Sequence, residues 1–180
     1  MKFRPSTNIL EKIAEEPHSP LEPLVVQYTE FPQELTHEQM DATIRTFIPG
    51  IAQQIAAYYR FGIGSIGEIM ELRKMMLVAE ALKNEFVHGM PPYQLRLFLG
   101  QSGVCYGFYD GGNFFRSTET KRLFESKTPL PKPEETRIIR GSPCFGMGTG
   151  IIYENADMIE VDAKEGVLYC VQFKTSLARK

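Results

Sequence analysis

Cysteine is scarce in this 180-residue chain, and no apolar run approaches the roughly 20 residues that a membrane-spanning helix needs. The three cysteines, Cys105, Cys144 and Cys170, are widely spaced and form no CxxC pair, which argues against a disulfide framework and a metal cluster. The N-terminus has no apolar segment of the signal-peptide type. We therefore expect a cytoplasmic protein with reduced thiols and no membrane partner.

An excess of charge of one sign is also absent. The formal net charge is -2, so no strong electrostatic attraction to nucleic acid or to anionic lipid is expected. Apolar residues make up 43% of the chain and charged residues 23%, which is an ordinary balance for one globular domain with its own core.

The first 23 residues differ from the rest of the chain because they are polar and contain four prolines. We expect residues 1–23 to form an arm with a short helix near 8–16. The domain proper is predicted to span residues 24–180.

Apolar periodicity and turn residues predict a two-layer α+β sandwich. Strands are predicted at 24–31, 93–100, 103–110, 158–163 and 166–174, and helices at 36–61, 65–88, 119–125 and from 151 onward. Thr36 is the expected N-cap of the first long helix, with Gln39 three residues on, and Pro49 is expected to kink or split that helix. This order favours a mixed, mainly antiparallel sheet with helices on one face. The proline- and glycine-rich connection 126–150 is long enough to predict a functional lid.

The helix predicted at 65–88 carries a line of polar residues at four-residue spacing, Glu80, Asn84 and His88. Its core stripe is predicted to contain Leu72, Met75, Met76, Ala79, Leu82 and Phe86. A carboxylate can accept a proton from an attacking hydroxyl, and an amide oxygen one turn away can bind Mg²⁺. The alternative is a solvated face, with His88 favoured by the helix dipole.

Two glycine motifs follow. In "YDGGNFF", Asp110 ends a predicted strand and precedes Gly111 and Gly112. The motif is either an ordinary turn or a binding site in which the Asp110 carboxylate accepts a hydrogen bond from an exocyclic amine such as that of adenine.

The second motif, "GMGTG" at 146–150, precedes a predicted helix. It is either a flexible loop or a place where main-chain N–H groups approach an anion. The phosphate-loop pattern GxxxxGK[ST] is absent, because no lysine follows Gly146 or Gly148. The Rossmann pattern does not fit either, because an irregular, proline-containing stretch precedes the motif.

The three motifs together, in this order and spacing, resemble the N, G1 and G2 boxes of the GHKL (Bergerat-fold) ATPase superfamily. "VAEALKNEFVHG" and the closing "GMGTGIIYENADMIEVDAKEG" are most similar to the anti-sigma-factor serine kinases, over about residues 24–174. The resemblance implies an α/β sandwich that binds ATP between its helices and a mobile lid, with Mg²⁺. It also implies a regulatory protein partner, a sigma factor or an anti-anti-sigma-like protein, and a homodimer, since members of that branch often pair.

The resemblance also assigns roles to residues. Glu80 is implied as the general base, Asn84 as the Mg²⁺ ligand and Asp110 as the residue that binds the adenine amine. The remaining residues implied in nucleotide binding are Gly112 beside the base and Gly146, Gly148, Thr149 and Gly150 around the phosphates. Lys127, Lys132, Arg137 and Arg140 of the lid are candidates for contacts to phosphate.

One departure from the family pattern divides the functional hypotheses. Phe114 stands where the second glycine of the G1 box belongs, which favours a non-catalytic nucleotide-binding or degenerate module that sequesters a protein partner. The presence of both Glu80 and Asn84 favours a Mg-ATP-dependent serine/threonine protein kinase. A histidine-kinase catalytic half is a third hypothesis, weakened because no phosphoacceptor helix pair precedes the sheet.

Overall fold

The computed structural model describes residues 4–14, 24–31, 35–61, 75–126, 137–139, 142–144 and 147–178. The helices in these ranges are α1 Thr7–Ile13, α2 His37–Tyr59, α3 Met76–His88, α4 Thr118–Ser126, α5 Met147–Asn155 and α6 Lys174–Ala178. The strands are β1 Leu24–Phe31, β2 Tyr93–Leu99, β3 Gly103–Tyr109, β4 Arg137–Ile139, β5 Ser142–Cys144, β6 Met158–Asp162 and β7 Val167–Phe173.

Five strands form one open sheet in the order β1-β2-β3-β7-β6, and every described pair is antiparallel. The two predicted hairpins are confirmed: β2 pairs with β3 and β6 pairs with β7. The predicted α+β sandwich is therefore confirmed, with a sheet that is antiparallel throughout the described residues. β4 and β5 form a separate two-stranded hairpin inside the connection predicted as a lid.

The main core lies between one face of this sheet and the helices α2, α3 and α5. Side chains of a strand alternate between the two faces, and this core takes one set from each strand. Its fully buried members include Leu95, Leu97, Val104, Tyr106, Phe108, Leu168 and Cys170 from the strands and Ile51, Ile55, Leu82, Phe86 and Ile152 from the helices. Helices on one face were expected, and α2, α3 and α5 follow this expectation, whereas α1 does not.

The opposite face of the sheet is covered by α1. Ile9 and Ile13 are each 1% exposed and pack with the alternate side chains Phe98, Cys105, Val167, Tyr169 and Val171. Two hydrogen bonds fix the position of this segment: the hydroxyl of Ser6 donates to Glu160 at 2.8 Å, and Ser102 N donates to the Ile13 carbonyl at 2.8 Å. A short helix was predicted within the arm, but its docking on the sheet was not.

α2 begins at the predicted cap. Gln39 N donates to the Thr36 hydroxyl at 3.2 Å, and Thr36 N donates to the Gln39 side chain at 2.8 Å, which is a complete capping box. Pro49 lies inside α2 without splitting it. The turn after Pro49 buries Ile51 and Ile55 in the core, and this packing compensates for the lost backbone hydrogen bond. Within the described ranges, none of the helices has both the length and the apolarity needed to cross a bilayer.

Cys105 and Cys170 are unpaired and buried. Cys105 points to the α1 face of the sheet and Cys170 to the main core, so they cannot form a disulfide with each other. Burial raises the pKa of both thiols, which makes them poor nucleophiles.

The docking of α1 can be tested by truncating its buried side chain. We expect Ile13→Ala to lower the free energy of unfolding by about 2–5 kcal/mol, because it removes apolar contacts and leaves a cavity. Glu11→Ala changes an exposed residue of the same helix and should stay within about 0.5 kcal/mol of the parent. Urea unfolding followed by circular dichroism measures both. Equal midpoints for the two variants would mean that α1 unfolds separately from the sheet.

Candidate functional site

α3 presents a wide buried face. Leu77, Val78, Ala81, Leu82, Glu85 and Phe86 are all buried. The predicted core stripe is right for Met75, Leu82 and Phe86, but wrong for Met76, which is 43% exposed, and for half-buried Ala79. The buried face of α3 is therefore rotated relative to the predicted core stripe. It includes a carboxyl residue, Glu85, which an apolar pattern cannot identify. Leu72 and the rest of the predicted helix before residue 75 lie outside the described residues.

Glu80 and Asn84 lie one turn apart at the boundary between α3 and α5, and both are half-buried. A Cβ atom built on Gly148 would lie 2.8 Å from Oε2 of Glu80 and 3.3 Å from Oδ1 of Asn84. The main chain at Gly148 therefore packs directly against both side chains. Two of the three sequence motifs meet at this point, and glycine at 148 leaves room for the carboxylate and the amide.

The first turn of α5 contains Gly148, Thr149 and Gly150, because the helix begins at Met147. The helix was predicted to begin only at residue 151, after a glycine loop, so the predicted start is wrong. Packing against α3 extends the helix through residues with low helix propensity. Gly146 lies outside the described residues. The N–H groups of a first helical turn have no partner within the helix and attract negative charge, and the Glu80 carboxylate lies beside them.

Two polar atoms at this junction are buried without a hydrogen-bond partner among the described residues: Nδ2 of Asn84 and Oγ1 of Thr149. Unpartnered buried polar atoms are rare and costly. Their hydrogen-bonding capacity is therefore available to a bound group such as a phosphate, because Nδ2 of Asn84 can donate and the Thr149 hydroxyl can donate or accept. A Mg²⁺ ion shared with phosphate oxygens needs only one or two protein ligands. The described residues contain no cluster of three His, Cys, Asp or Glu side chains. The amide oxygen of Asn84 is a hard ligand of the kind that Mg²⁺ accepts.

Asp110 lies near the C-terminal end of α3 and is 0% exposed. Its Oδ1 accepts from Gly112 N at 2.7 Å and its Oδ2 from Phe115 N at 3.1 Å. A Cβ atom built on Gly89 would lie 2.7 Å from Cβ of Asp110, so the end of α3 packs against this residue. Gly89 follows Asn84 by five residues, about 7.5 Å along a helix axis. Asp110 therefore holds its own turn together at one end of α3, and Asn84 lies further back along the helix.

The aromatic ring that departs from the family pattern packs beside this turn. Phe114 stacks on His88, with ring centroids 5.1 Å apart and planes at 23°, and contacts Phe115 at 4.9 Å. His88 therefore contributes to an aromatic stack, a role that neither of its sequence interpretations included. The Phe114 ring is thus held between His88 and Phe115.

Glu85 is a buried carboxyl residue that the motifs did not indicate. Its Oε1 accepts from Gln94 N at 3.2 Å, while its Oε2 has no hydrogen-bond partner among the described residues. Burial raises the pKa of Glu85 well above its ordinary value of 4.5; the Gln94 N–H opposes this shift and the nearby Asp110 adds to it. The sequence signal for its burial is its spacing: Glu85 follows Ala81 by four residues and Leu82 by three, which places it on the same side of the helix.

The lysines and arginines predicted to meet phosphate lie in the connection 126–150. Before α5, the structure describes only the main chain of β4 and β5 in this connection, so the side chains of Lys127, Lys132, Arg137 and Arg140 lie outside the described residues. The structure thus brings together Glu80, Asn84, Gly148 and Thr149. Asp110 and Gly112 belong to the turn after β3, which packs near the C-terminal end of α3.

A scan against models of known protein families finds no match for this chain, and a search of curated proteins finds none that matches significantly. The resemblance to the GHKL group therefore rests on the three sequence motifs.

The close approach at Gly148 can be tested against its neighbour in the same turn. We expect Gly150→Ala to raise the free energy of unfolding by about 0.5–1 kcal/mol, because nothing lies within 4 Å of its added methyl group. Gly148→Ala should raise the free energy of unfolding by less, because its added methyl group would collide with the side chains of Glu80 and Asn84. Urea denaturation compares the two variants. Equal gains would show that the carboxylate and the amide do not contact residue 148.

The raised pKa of Glu85 has a consequence for stability against pH. The folded state keeps its proton above pH 4.5 while the unfolded state releases it, so stability falls as the pH rises through this range. Glu85→Gln removes the titration. We expect the stability of the variant relative to the parent to increase as the pH rises above about 4.5.

Glu119→Gln, at an exposed position, controls for the loss of a surface carboxylate. Urea midpoints at several pH values give both curves. A difference between Glu85→Gln and the parent that does not change with pH would contradict the expected behaviour of the buried acid.

Proposed function

We propose that this protein is an ATP-binding regulatory protein of the GHKL type that uses Mg-ATP to phosphorylate a serine or threonine of a protein partner. One observation carries the proposal: Gly148, at the start of α5, packs against Glu80 and Asn84 of α3. Motifs that are more than sixty positions apart in the sequence supply a carboxylate, an amide and a helix N-terminus at one point. Phosphoryl transfer depends mainly on such positioning and charge neutralisation.

The junction of α3 and α5 is the phosphate end of the proposed site. Asn84 would bind Mg²⁺ through Oδ1, and the ion would neutralise phosphate charge when bound. The first turn of α5, with Gly148, Thr149 and Gly150, offers main-chain N–H groups and the unpartnered Thr149 hydroxyl to phosphate oxygens. Gly146 is proposed to extend this cradle, as the resemblance implies.

Glu80 is the proposed general base. Its carboxylate would accept the proton of the partner's hydroxyl group as that oxygen attacks the terminal phosphate. Its place beside the first turn of α5 and its half-buried side chain support this role. The contact with Gly148 limits where the carboxylate can lie.

The Asp110 turn is the base end of the proposed site. Each carboxylate oxygen has more than one lone pair, so Asp110 can accept from an adenine amine while it still holds Gly112 N and Phe115 N. Gly112 keeps the approach free of a side chain, and the stacked rings of Phe114 and His88 would contact the face of the base.

The partner is proposed from the resemblance as a cytoplasmic regulatory protein, a sigma factor or an anti-anti-sigma-like protein, with the kinase acting as a homodimer. A second function is favoured by the environment of Asp110. This residue is 0% exposed and both of its oxygens already accept main-chain hydrogen bonds, which is also the arrangement of a purely structural turn. In that case the protein acts by sequestering its partner without catalysis.

Titration with Mg-ATP in a calorimeter distinguishes the two functions. We expect saturable binding by the parent protein and slow formation of ADP. Glu80→Gln should reduce ADP formation by about 10²–10⁴-fold, the usual contribution of a general base, with the dissociation constant for ATP largely unchanged. Glu154→Gln, on the exposed side of α5, is the matched control and should leave both quantities unchanged.

The absence of heat at millimolar nucleotide would remove the kinase proposal and favour the sequestering module. A parallel loss of binding and turnover in Glu80→Gln would mean that Glu80 has a structural role only.

A further inference from the structure

Arg116 contacts the carbonyl groups of the Asp110 turn. Its Nη1 donates to the main-chain oxygen of Asp110 at 3.2 Å and to that of Gly112, and its Nη2 donates to the carbonyl of Glu165 at 2.9 Å. Its Cζ lies 5.6 Å from the centre of the Tyr109 ring. One half-buried guanidinium group therefore joins the turn after β3 to the turn between β6 and β7.

The β6–β7 turn is shaped to receive this group. Oδ1 of Asp162 accepts from Lys164 N at 3.1 Å and from Glu165 N at 3.0 Å, which fixes the Glu165 carbonyl. Gly166 has a φ of +74°, and a Cβ atom there would lie 2.5 Å from Cζ of Arg116. A side chain at position 166 would therefore both strain the turn and displace the guanidinium group.

We propose that Arg116 is a positioning residue that holds the Asp110 turn in a single conformation by anchoring it to the β6–β7 turn. The planar fork of arginine reaches several acceptors at once, which a lysine ammonium cannot do from the same position. In the same turn, the Asp110 carboxylate holds Gly112 N and Phe115 N. Arg116 thus holds the main-chain carbonyls of the Asp110 turn, and the Asp110 carboxylate holds its N–H groups.

This arrangement gives Arg116 a role in selectivity, and that part of the inference rests on the proposed function. If Asp110 reads the amine of adenine, its direction is set by the turn, and the turn is set by Arg116. Loss of Arg116 would then reduce discrimination between bases, while recognition of the triphosphate at α3 and α5 would stay the same.

Hydrogen exchange tests the anchor without any ligand. We expect the amides of Gly112 and Phe115 to exchange about tenfold faster or more in Arg116→Gln, the change expected from losing a hydrogen bond to a charged group. Gly166→Ala keeps the arginine but displaces it, and should have the same effect. Lys164→Gln removes a cation from the exposed side of the same β6–β7 turn and should leave both amides at the parent rate. The amides of the β2–β3 ladder report on global stability.

Nucleotide binding tests the link to the base. The parent should bind ATP at least about tenfold more tightly than inosine triphosphate, whose base has an oxygen in place of the amine. Arg116→Gln and Gly166→Ala should bring this ratio close to one and leave the affinity for inorganic tripolyphosphate unchanged.

Each result has a distinct meaning. Parent-like exchange of Gly112 and Phe115 in both variants would overturn the anchor. Faster exchange with an unchanged ATP preference would overturn the role in selectivity. If the parent binds no nucleotide while exchange still responds to Arg116, the proposed function fails and the anchor stands.

Discussion

The approach of α5 to α3 depends on one missing side chain. Gly148 lets the main chain at the start of α5 lie against Glu80 and Asn84, and any larger residue would push into the carboxylate. This contact brings a helix N-terminus, a carboxylate and an amide to the same place. It also leaves Asn84 Nδ2 and Thr149 Oγ1 buried without partners among the described residues. A fold that only needed to pack two helices would avoid that cost by using apolar side chains there.

The middle of α3 and its C-terminal end have different hydrogen-bonding surroundings. In the middle, where α5 packs, Asn84 Nδ2 and Thr149 Oγ1 lack partners among the described residues. At the C-terminal end, both carboxylate oxygens of Asp110 accept from amides of its own turn, and its carbonyl accepts from Arg116. Under the proposed function, the unpartnered atoms would be left for a phosphate group, and the held turn would fix the direction of the residue that reads the base.

Much of the fold could be predicted because its determinants are local. Alternation identified the strands, and the pair Thr36 and Gln39 identified the start of α2. The buried face of α3 could not be predicted fully, because Glu85 is a carboxyl residue on the core side and apolar patterns exclude such residues.

The helical state of Gly148 and Gly150 depends on packing against α3, which overrides their low propensity. For the same reason the sequence identified candidate site residues but not their contacts. Glu80, Asn84 and Asp110 were identified by motif, whereas the hydrogen bonds of Asp110 and the reach of Arg116 depend on tertiary structure.

The position of β7 has a consequence for biosynthesis. This strand pairs with β3 on one side and β6 on the other, yet it is the last strand of the described chain to leave the ribosome. Until then β3, which is buried along almost its whole length in the finished sheet, has an open apolar edge of the kind that associates with other chains. The sheet can close only after β7 has left the ribosome, and until then the open edge of β3 favours association with other chains.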